Sequence, residues 1–563
     1  MTLCQPTEPI EARQDPRFWD RIDIAFVHAD FADPMTTPVS QREYARQHDI
    51  PRSTLGYWLR KDYPEHLDPD LVSFFISPAG HTFLRRLVLA LLLIFRHQSP
   101  CGLRAIESFL RLVQLDPFVA SSYGALYRQD LWLQNNLDCF AQEERQRLIP
   151  GMARQDIALC PDENFHGPHV CLVGIEPVSN FILVETYCAQ RDSVTWAAAI
   201  RAGTQDLPVQ VVLLPSDQAS GLVCCATNEL EIKHQPDLFH LQHDLFKSLL
   251  FPLTRPIQQA QKELEKLESR EYRLEQADVK RPGSFTIDRL TEEIDQQEET
   301  KTELEGARQR REEAVEQIRE VSRSYHPYDR NTGQPVTEEA MKEKLTAPLD
   351  ELQEVIEKAG LPESADQAVL KGRKWVVLLV GCLGWYWDIV EERLKALDCS
   401  EEAEGLIRTL LIPGYYWEMA SAKEKDPEER KRLAELGQRL QEQAWCEGSE
   451  LAACSPEERA EIARVARGCA AAFQRSSSCV EGRNGRLSLF HHGQTRLSER
   501  RLKALTAVHN YVTRRADGTT AAERFFGQKQ RDAFSWLLER MPSLPHPASR
   551  RPKQAAQKLP SAA

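Results

Sequence analysis

No Cys-x-x-Cys pair occurs in the chain, although it holds 14 cysteines. Scattered thiols exclude the common redox motif and leave out the thiolate pairs of structural zinc sites. The adjacent Cys224 and Cys225 read as core residues. The stretch after Met1 lacks a basic segment followed by an apolar run, so no secretory signal is expected. The thiols are then expected to be reduced, in a cytoplasmic protein. Long apolar runs are missing as well. Leu87–Phe95 and Trp375–Trp387 fall short of the ~20 residues a membrane helix needs, so both are read as buried helix segments and no membrane partner is expected. A positive charge balance is also lacking, with a net charge of −13 and a pI near 5.7. Taken over the whole chain this argues against a nucleic-acid binder, unless the charge is segregated.

What is present is a chain of 563 residues, 42% hydrophobic and 28% charged. That is too long for one core and predicts two to four domains. Residues 1–150 read as helical, and 151–245 carry the dense strand signals. Residues 246–470 read as an all-helical, charge-rich insertion. Residues 471–545 read as basic and helical, with a disordered tail at 546–563.

Ser40 to Lys61 has the outline of a helix-turn-helix. Ser40 is a candidate N-cap with Glu43 three residues on, a capping-box spacing. Asp49-Ile50-Pro51 makes the turn, and Arg52, Ser53, Thr54 and Tyr57 of the second helix would face a major groove. An ordinary helical hairpin fits the same pattern.

From residue 156 the period changes. Asp156–Cys160, His169–Ile175, Asn180–Tyr187, Val209–Leu214 and Leu230–Lys233 read as strands, with helices at Ser193–Arg201 and Ala219–Asn228. Glu176–Ser179 is a hairpin signal. The order β-β-β-α-β-α-β is that of an RNase H-like core, a mixed five-stranded sheet with helices. The insertion carries an antiparallel helical hairpin at 256–323, with one stripe of Ala260, Leu264, Leu267 and Leu274 and another of Leu290, Ile294, Leu304, Val315 and Ile318.

Two acids come after strand signals, Asp162 after Ile157–Pro161 and Asp217 after Val211–Ser216. On parallel neighbouring strands their side chains lie at one sheet rim, where they repel unless a cation lies between them. Mg²⁺, with Mn²⁺ able to substitute, suits carboxylate oxygens. The best third acid is Glu481, the one acid in a Ser- and Arg-rich stretch, and Asn484 and Ser488 share its helical face. Arg483, Arg486, Arg496, Arg500 and Arg501 supply a basic footprint for phosphates. Each Asp has a plainer reading as a turn acid. Glu163 competes with Asp162, and Asp237 is the rival of Asp217, with Asp237 and His240 otherwise supporting the site from behind. His166, His169, His240 and His243 form two His-x-x-His pairs, a conceivable zinc set.

Strand–Asp162, strand–Asp217, a long helical insertion and Glu481 together resemble the DDE transposases of bacterial insertion sequences. Ser216–Leu222 (SDQASGL) is similar to the segment around that family's second Asp. Asp237–Asp244 (DLFHLQHD) resembles the Asp-x-Phe-His element that comes after it, and Val480–Ser488 (VEGRNGRLS) resembles segments around the third acid. The resemblance spans about 40–60 and 150–530, and departs from the family's Tyr–Arg–Glu–Lys signature because no Lys stands two turns after Glu481. It implies an α/β RNase H-like core interrupted by a helical insertion, with Asp162, Asp217 and Glu481 as metal-binding catalytic acids. It also implies Mg²⁺-dependent hydrolysis at the ends of a mobile element, then attack of the freed 3′-hydroxyl on target DNA. The partners would be double-stranded DNA and further copies of the chain, at the nucleoid, with no small-molecule substrate. The alternative is a helix-turn-helix regulator, or a domesticated transposase that binds without cutting.

Overall fold

A computed structural model describes residues 31, 40–48, 50–59, 69–280, 284–475, 477–491 and 497–544. The chain divides into two units, residues 1–152 with 489–563, and residues 153–488.

The first unit is helical. α1 (Gln41–Gln47) and α2 (Arg52–Trp58) are the two short helices expected from the sequence, and Tyr44, Ala45, Ile50 and Leu55 form their shared core. Ser40 Oγ accepts from Glu43 N at 3.3 Å, the N-terminal half of the anticipated capping box. α3 (Pro78–Leu91) runs on as a π-helix to Gln98. The combined Pro78–Gln98 segment is, by length and composition, apolar enough to cross a membrane, so the apolar stretch is longer than the run Leu87–Phe95 suggests. Its Leu84, Val88, Leu89 and Leu92 are buried. It also carries a buried histidine, His97, whose Nε2 lies 2.7 Å from Asp130 Oδ1 on α4 (Tyr123–Leu148). The contact gives each of these two buried groups one hydrogen-bond partner.

The second unit holds the strands: β1 (Gln155–Ala158), β2 (Cys160–His166), β3 (His169–Glu176), β4 (Phe181–Cys188), β5 (Val209–Ser216) and β6 (Lys233–Pro236). β1, β5 and β6 form a parallel sheet in the order β1-β5-β6, and β2, β3 and β4 an antiparallel one in the order β2-β3-β4. Only Leu159 separates β1 from β2, and its N–H donates to Leu213 O on β5 at 3.0 Å. The sheets are therefore parallel and antiparallel portions entered by one continuous run of chain. The β3–β4 turn falls at the expected Glu176–Ser179, where the buried Glu176 carboxylate accepts from Val178 N and Ser179 N, both at 2.7 Å. β2 is not among the strands expected from sequence, because Pro161, Asp162, Glu163 and Asn164 are poor strand formers; its pairing with β3 overrides that preference.

α5 (Ser193–Thr204) packs on one face of the antiparallel sheet, with Trp196 and Ile200 buried. After β6 the chain enters α6 (Leu238–Leu245). Among the described residues it then carries helices and their connections through 472, apart from an isolated bridge between Tyr328 and Pro335. α7 (Phe251–Lys280) and α8 (Ser284–Ser324) are the expected hairpin. Its seam differs in detail from the sequence reading. Ile294 is exposed, while Gln297 is buried and donates to Glu271 at 2.5 Å. α9 (Glu363–Lys395) forms the insertion's core helix through Trp375, Leu379, Leu383, Tyr386 and Val390. α10 (Ser478–His491) returns to the sheet.

The sequence reading assigns residues 471–545 to one catalytic region. Instead, the helix α11 (Glu499–Tyr511) and the helices after it belong with the N-terminal helices, through apolar contacts such as Phe140 with Tyr511 and Trp536. The tail expected to be disordered lies outside the described residues.

Candidate functional site

Asp162 sits inside β2, not in a turn after a strand, and the pleat decides what it faces. Its neighbour Glu163 points to the α5 side, where it accepts from Arg191 Nη1 at 2.6 Å and Trp196 Nε1 at 3.4 Å. That withdraws Glu163 from competition. Asp162 points the other way. Its Oδ2 accepts from Asn484 Nδ2 of α10 at 2.6 Å, and its Oδ1 accepts from Glu163 N at 2.8 Å. Burial pushes the Asp162 carboxyl up to about 7, the charges of Glu481 and Asp217 push the same way, and the Glu163 N–H and His240 oppose them. Glu481 and Asp217 thus both act electrostatically on Asp162, although more than half the chain separates Asp162 from Glu481.

Asp217 comes directly after β5, and its Oδ1 accepts from Ala219 N at 3.1 Å. Beside it, Ser216 Oγ lies 3.0 Å from His234 Nε2 on β6. Burial lowers the His234 pKa while Asp217 raises it. Sequence reading misses His234, since only the pairing of β5 with β6 brings it beside Ser216. Glu481 is exposed on the first turn of α10, with Val480 and Leu487 buried beneath it.

Asp237 has a different employment. It is fully buried, caps α6 by accepting from Phe239 N at 2.9 Å, and accepts from Ser477 Oγ at 2.5 Å. Both oxygens are therefore engaged in holding chain segments together. His240 stands beside it, Nε2 3.9 Å from Asp237 Oδ2.

Residues 407–553 match a family model described as "Family of unknown function (DUF6399)". No curated protein and no solved structure matches the chain. The matched stretch includes Glu481 and Asn484 and excludes Asp162 and Asp217.

Among the described residues, no three His, Cys, Asp or Glu side chains stand close enough to hold a metal ion. The donor set still suits Mg²⁺, which takes one or two carboxylates and keeps its water. Asn484 Oδ1 is buried beside Asp162 without a donor, and a hard cation or its water would satisfy it.

The expected DNA-contacting residues separate into classes. Arg52 and Ser53 are exposed at the start of α2 and Thr54 is half-buried; the Tyr57 side chain lies outside the described residues, as does Arg496. Arg500 is exposed on α11. Arg501 turns inward over the Phe490 ring at 5.6 Å, and burial draws its pKa down to about 10. Arg486 is half-buried, its pKa lowered by burial and by Arg483. Arg483 corrects the sequence reading: it is buried, its Nε and Nη2 donating to the two Glu185 oxygens at 2.7 and 2.6 Å, so it is not presented to a phosphate.

Proposed function

We propose that this chain is a DDE transposase. In this reading, β2 continues β1, and the two sheets form one RNase H-like sheet of order β4-β3-(β2/β1)-β5-β6, with α5 and α10 on opposite faces. Asp162, Asp217 and Glu481 would hold Mg²⁺, or Mn²⁺ in its place. The supporting observation is the raised pKa of Asp162, caused after burial by these same two acids. A regulator that only binds DNA has no need of a buried carboxylate under the field of two further acids.

An ion bound there supplies activation of the attacking oxygen and stabilisation of the leaving one during phosphodiester hydrolysis and strand transfer. The chain's own contribution is positioning. Asn484 holds the Asp162 carboxylate in one orientation, and the Glu163 N–H favours its charged form. Asp237 and Ser477 fix the segment that leads into α10. Arg52, Ser53, Thr54 and Tyr57 would read the element ends, and Arg500 with Arg486 would contact phosphates, on a likeness to helix-turn-helix readers. Copies of the chain would pair on DNA, at the nucleoid.

The test uses purified protein and the DNA that flanks its coding sequence, where this reading expects inverted repeats. Repeats there, with Mg²⁺-dependent cleavage at them that is lost in Asp162→Asn, Asp217→Asn and Glu481→Gln while end binding is kept, are the expected result; flanks without repeats would count against the assignment. End binding without cleavage in any divalent metal would turn the assignment to the non-cutting alternative.

A further inference from the structure

The pairing registers place Asp162 opposite Val173, and Val173 opposite Glu185. The three residues form one lateral row across β2, β3 and β4. Residues paired in this way project from the same face, so Asp162 and Glu185 share a face two strands, or roughly 10 Å, apart. α10 grips both ends of that row with consecutive residues. Asn484 donates to Asp162 at 2.6 Å, and Arg483 donates through two nitrogens to Glu185 at 2.7 and 2.6 Å. The Arg483 and Glu185 side chains are 2% and 0% exposed.

We infer that Arg483 and Glu185 are positioning residues for the carboxylate site: a buried two-pronged clamp that sets the rotation of α10 about its axis and so where Glu481 and Asn484 point. This rests on the proposed metal-binding role of Asp162 and Glu481.

A buried ion pair is a poor source of stability, since removing both charges from water costs about what their attraction returns. Its value lies in geometry, because a guanidinium facing a carboxylate fork-to-fork fixes distance and angle together. The apolar anchors of α10 in this unit are Val480 and Leu487, nearly two turns apart on one line. Two anchors on a line hold a helix down but let it roll. Glu481 precedes Arg483 by two positions and Asn484 by three, so any roll of α10 carries all three together.

The experiment measures Mn²⁺ affinity of the full chain at pH 8, by the paramagnetic signal of free Mn²⁺, beside thermal unfolding. The variants are Arg483→Met with Glu185→Met, and Arg483→Gln with Glu185→Gln. The methionine pair keeps the volume and removes the fork, while the glutamine pair keeps directional hydrogen bonds without charge. The expected result is a methionine pair as stable as wild type whose Mn²⁺ affinity falls roughly 10- to 100-fold, the usual effect of losing a partner behind a metal ligand. The glutamine pair is expected to recover most of that loss. A stable methionine pair with wild-type affinity would overturn the inference. So would a methionine pair that fails to fold, since the ion pair would then be structural. Absence of Mn²⁺ binding in the wild type would overturn the metal-site reading and this inference with it.

Discussion

Asn484 donates its amide to Asp162 at 2.6 Å across a sequence separation of 322 residues. One oxygen of a carboxylate whose pKa is raised to about 7 is thereby oriented by a residue three positions after the third acid.

That raised pKa gives the metal-free protein a pH dependence opposite to the usual carboxylate. The folded-state value lies above the unfolded 3.8, so the folded state binds the proton more tightly. The penalty is full above about 7 and disappears as pH falls toward 4. Asp162→Asn should therefore stabilise the metal-free protein by about 1–3 kcal/mol at pH 8 and make no difference near pH 4. Denaturation of both proteins at the two pH values checks this; equal stability at pH 8 would count against it.

Asp217 and Asp237 should part company. Asp217→Asn is expected to remove the rise in melting temperature that Mn²⁺ gives the wild type. Asp237→Ala should keep that rise but cost about 2–4 kcal/mol, from a lost helix cap and a buried Ser477 hydroxyl left without its acceptor. Loss of the Mn²⁺ effect in a folded Asp237→Ala protein would transfer the metal role to Asp237.

The helical unit should be acid-labile where the metal-free site is not. Burial, as the largest cause, lowers the His97 pKa from 6.5, and Asp130 is also lowered, by its hydrogen bond to His97 and by nearby arginines against the effect of burial. Stability falls on acidification in both cases: a cost of charging His97 builds below about 6.5, and the contribution of Asp130 is lost below about 4. Asp130→Ala should destabilise this unit by about 3–5 kcal/mol, read by hydrogen exchange in 123–148. A loss under about 1 kcal/mol would show that the pair is not sustaining the fold.

Reading and holding DNA should separate by salt. Arg52→Ala is expected to cost roughly 1–3 kcal/mol on element ends and little on random DNA, whereas Arg500→Ala should weaken both and flatten the salt dependence by about one phosphate contact. Equal loss on both DNAs with Arg52→Ala would remove α2 as the sequence reader.

Much of this arrangement is legible in the sequence. The β-branched runs of β3, β4 and β5, the Ser40 cap and the hairpin insertion obey local rules. β2 is not legible: Cys160–His166 carries a proline and two acids, and only its pairing with β3 makes it a strand. Tertiary pairing overrides the local preference there. The role of Arg483 is hidden for a related reason. Its charge, counted with the other arginines, suggests a surface, while its partner Glu185 lies on a distant strand. Ile294 fits the heptad spacing, yet Gln297 occupies the seam because Glu271 faces it there.

The chain departs for its long helical excursion at Asp237 and re-enters at Ser477, and those two side chains touch, with Leu238 N donating to Arg475 O at 3.3 Å alongside. The excursion therefore leaves and returns through one doorway that is bolted shut. The cost of holding those ends together grows only with the logarithm of the length between them, about 0.6 kcal/mol per doubling, so lengthening or shortening the helices beyond the doorway adds little to it. The body is not hung from that doorway alone: Cys382 Sγ of α9 donates to His234 O of β6 at 3.8 Å, so a change in that helix is felt at the sheet.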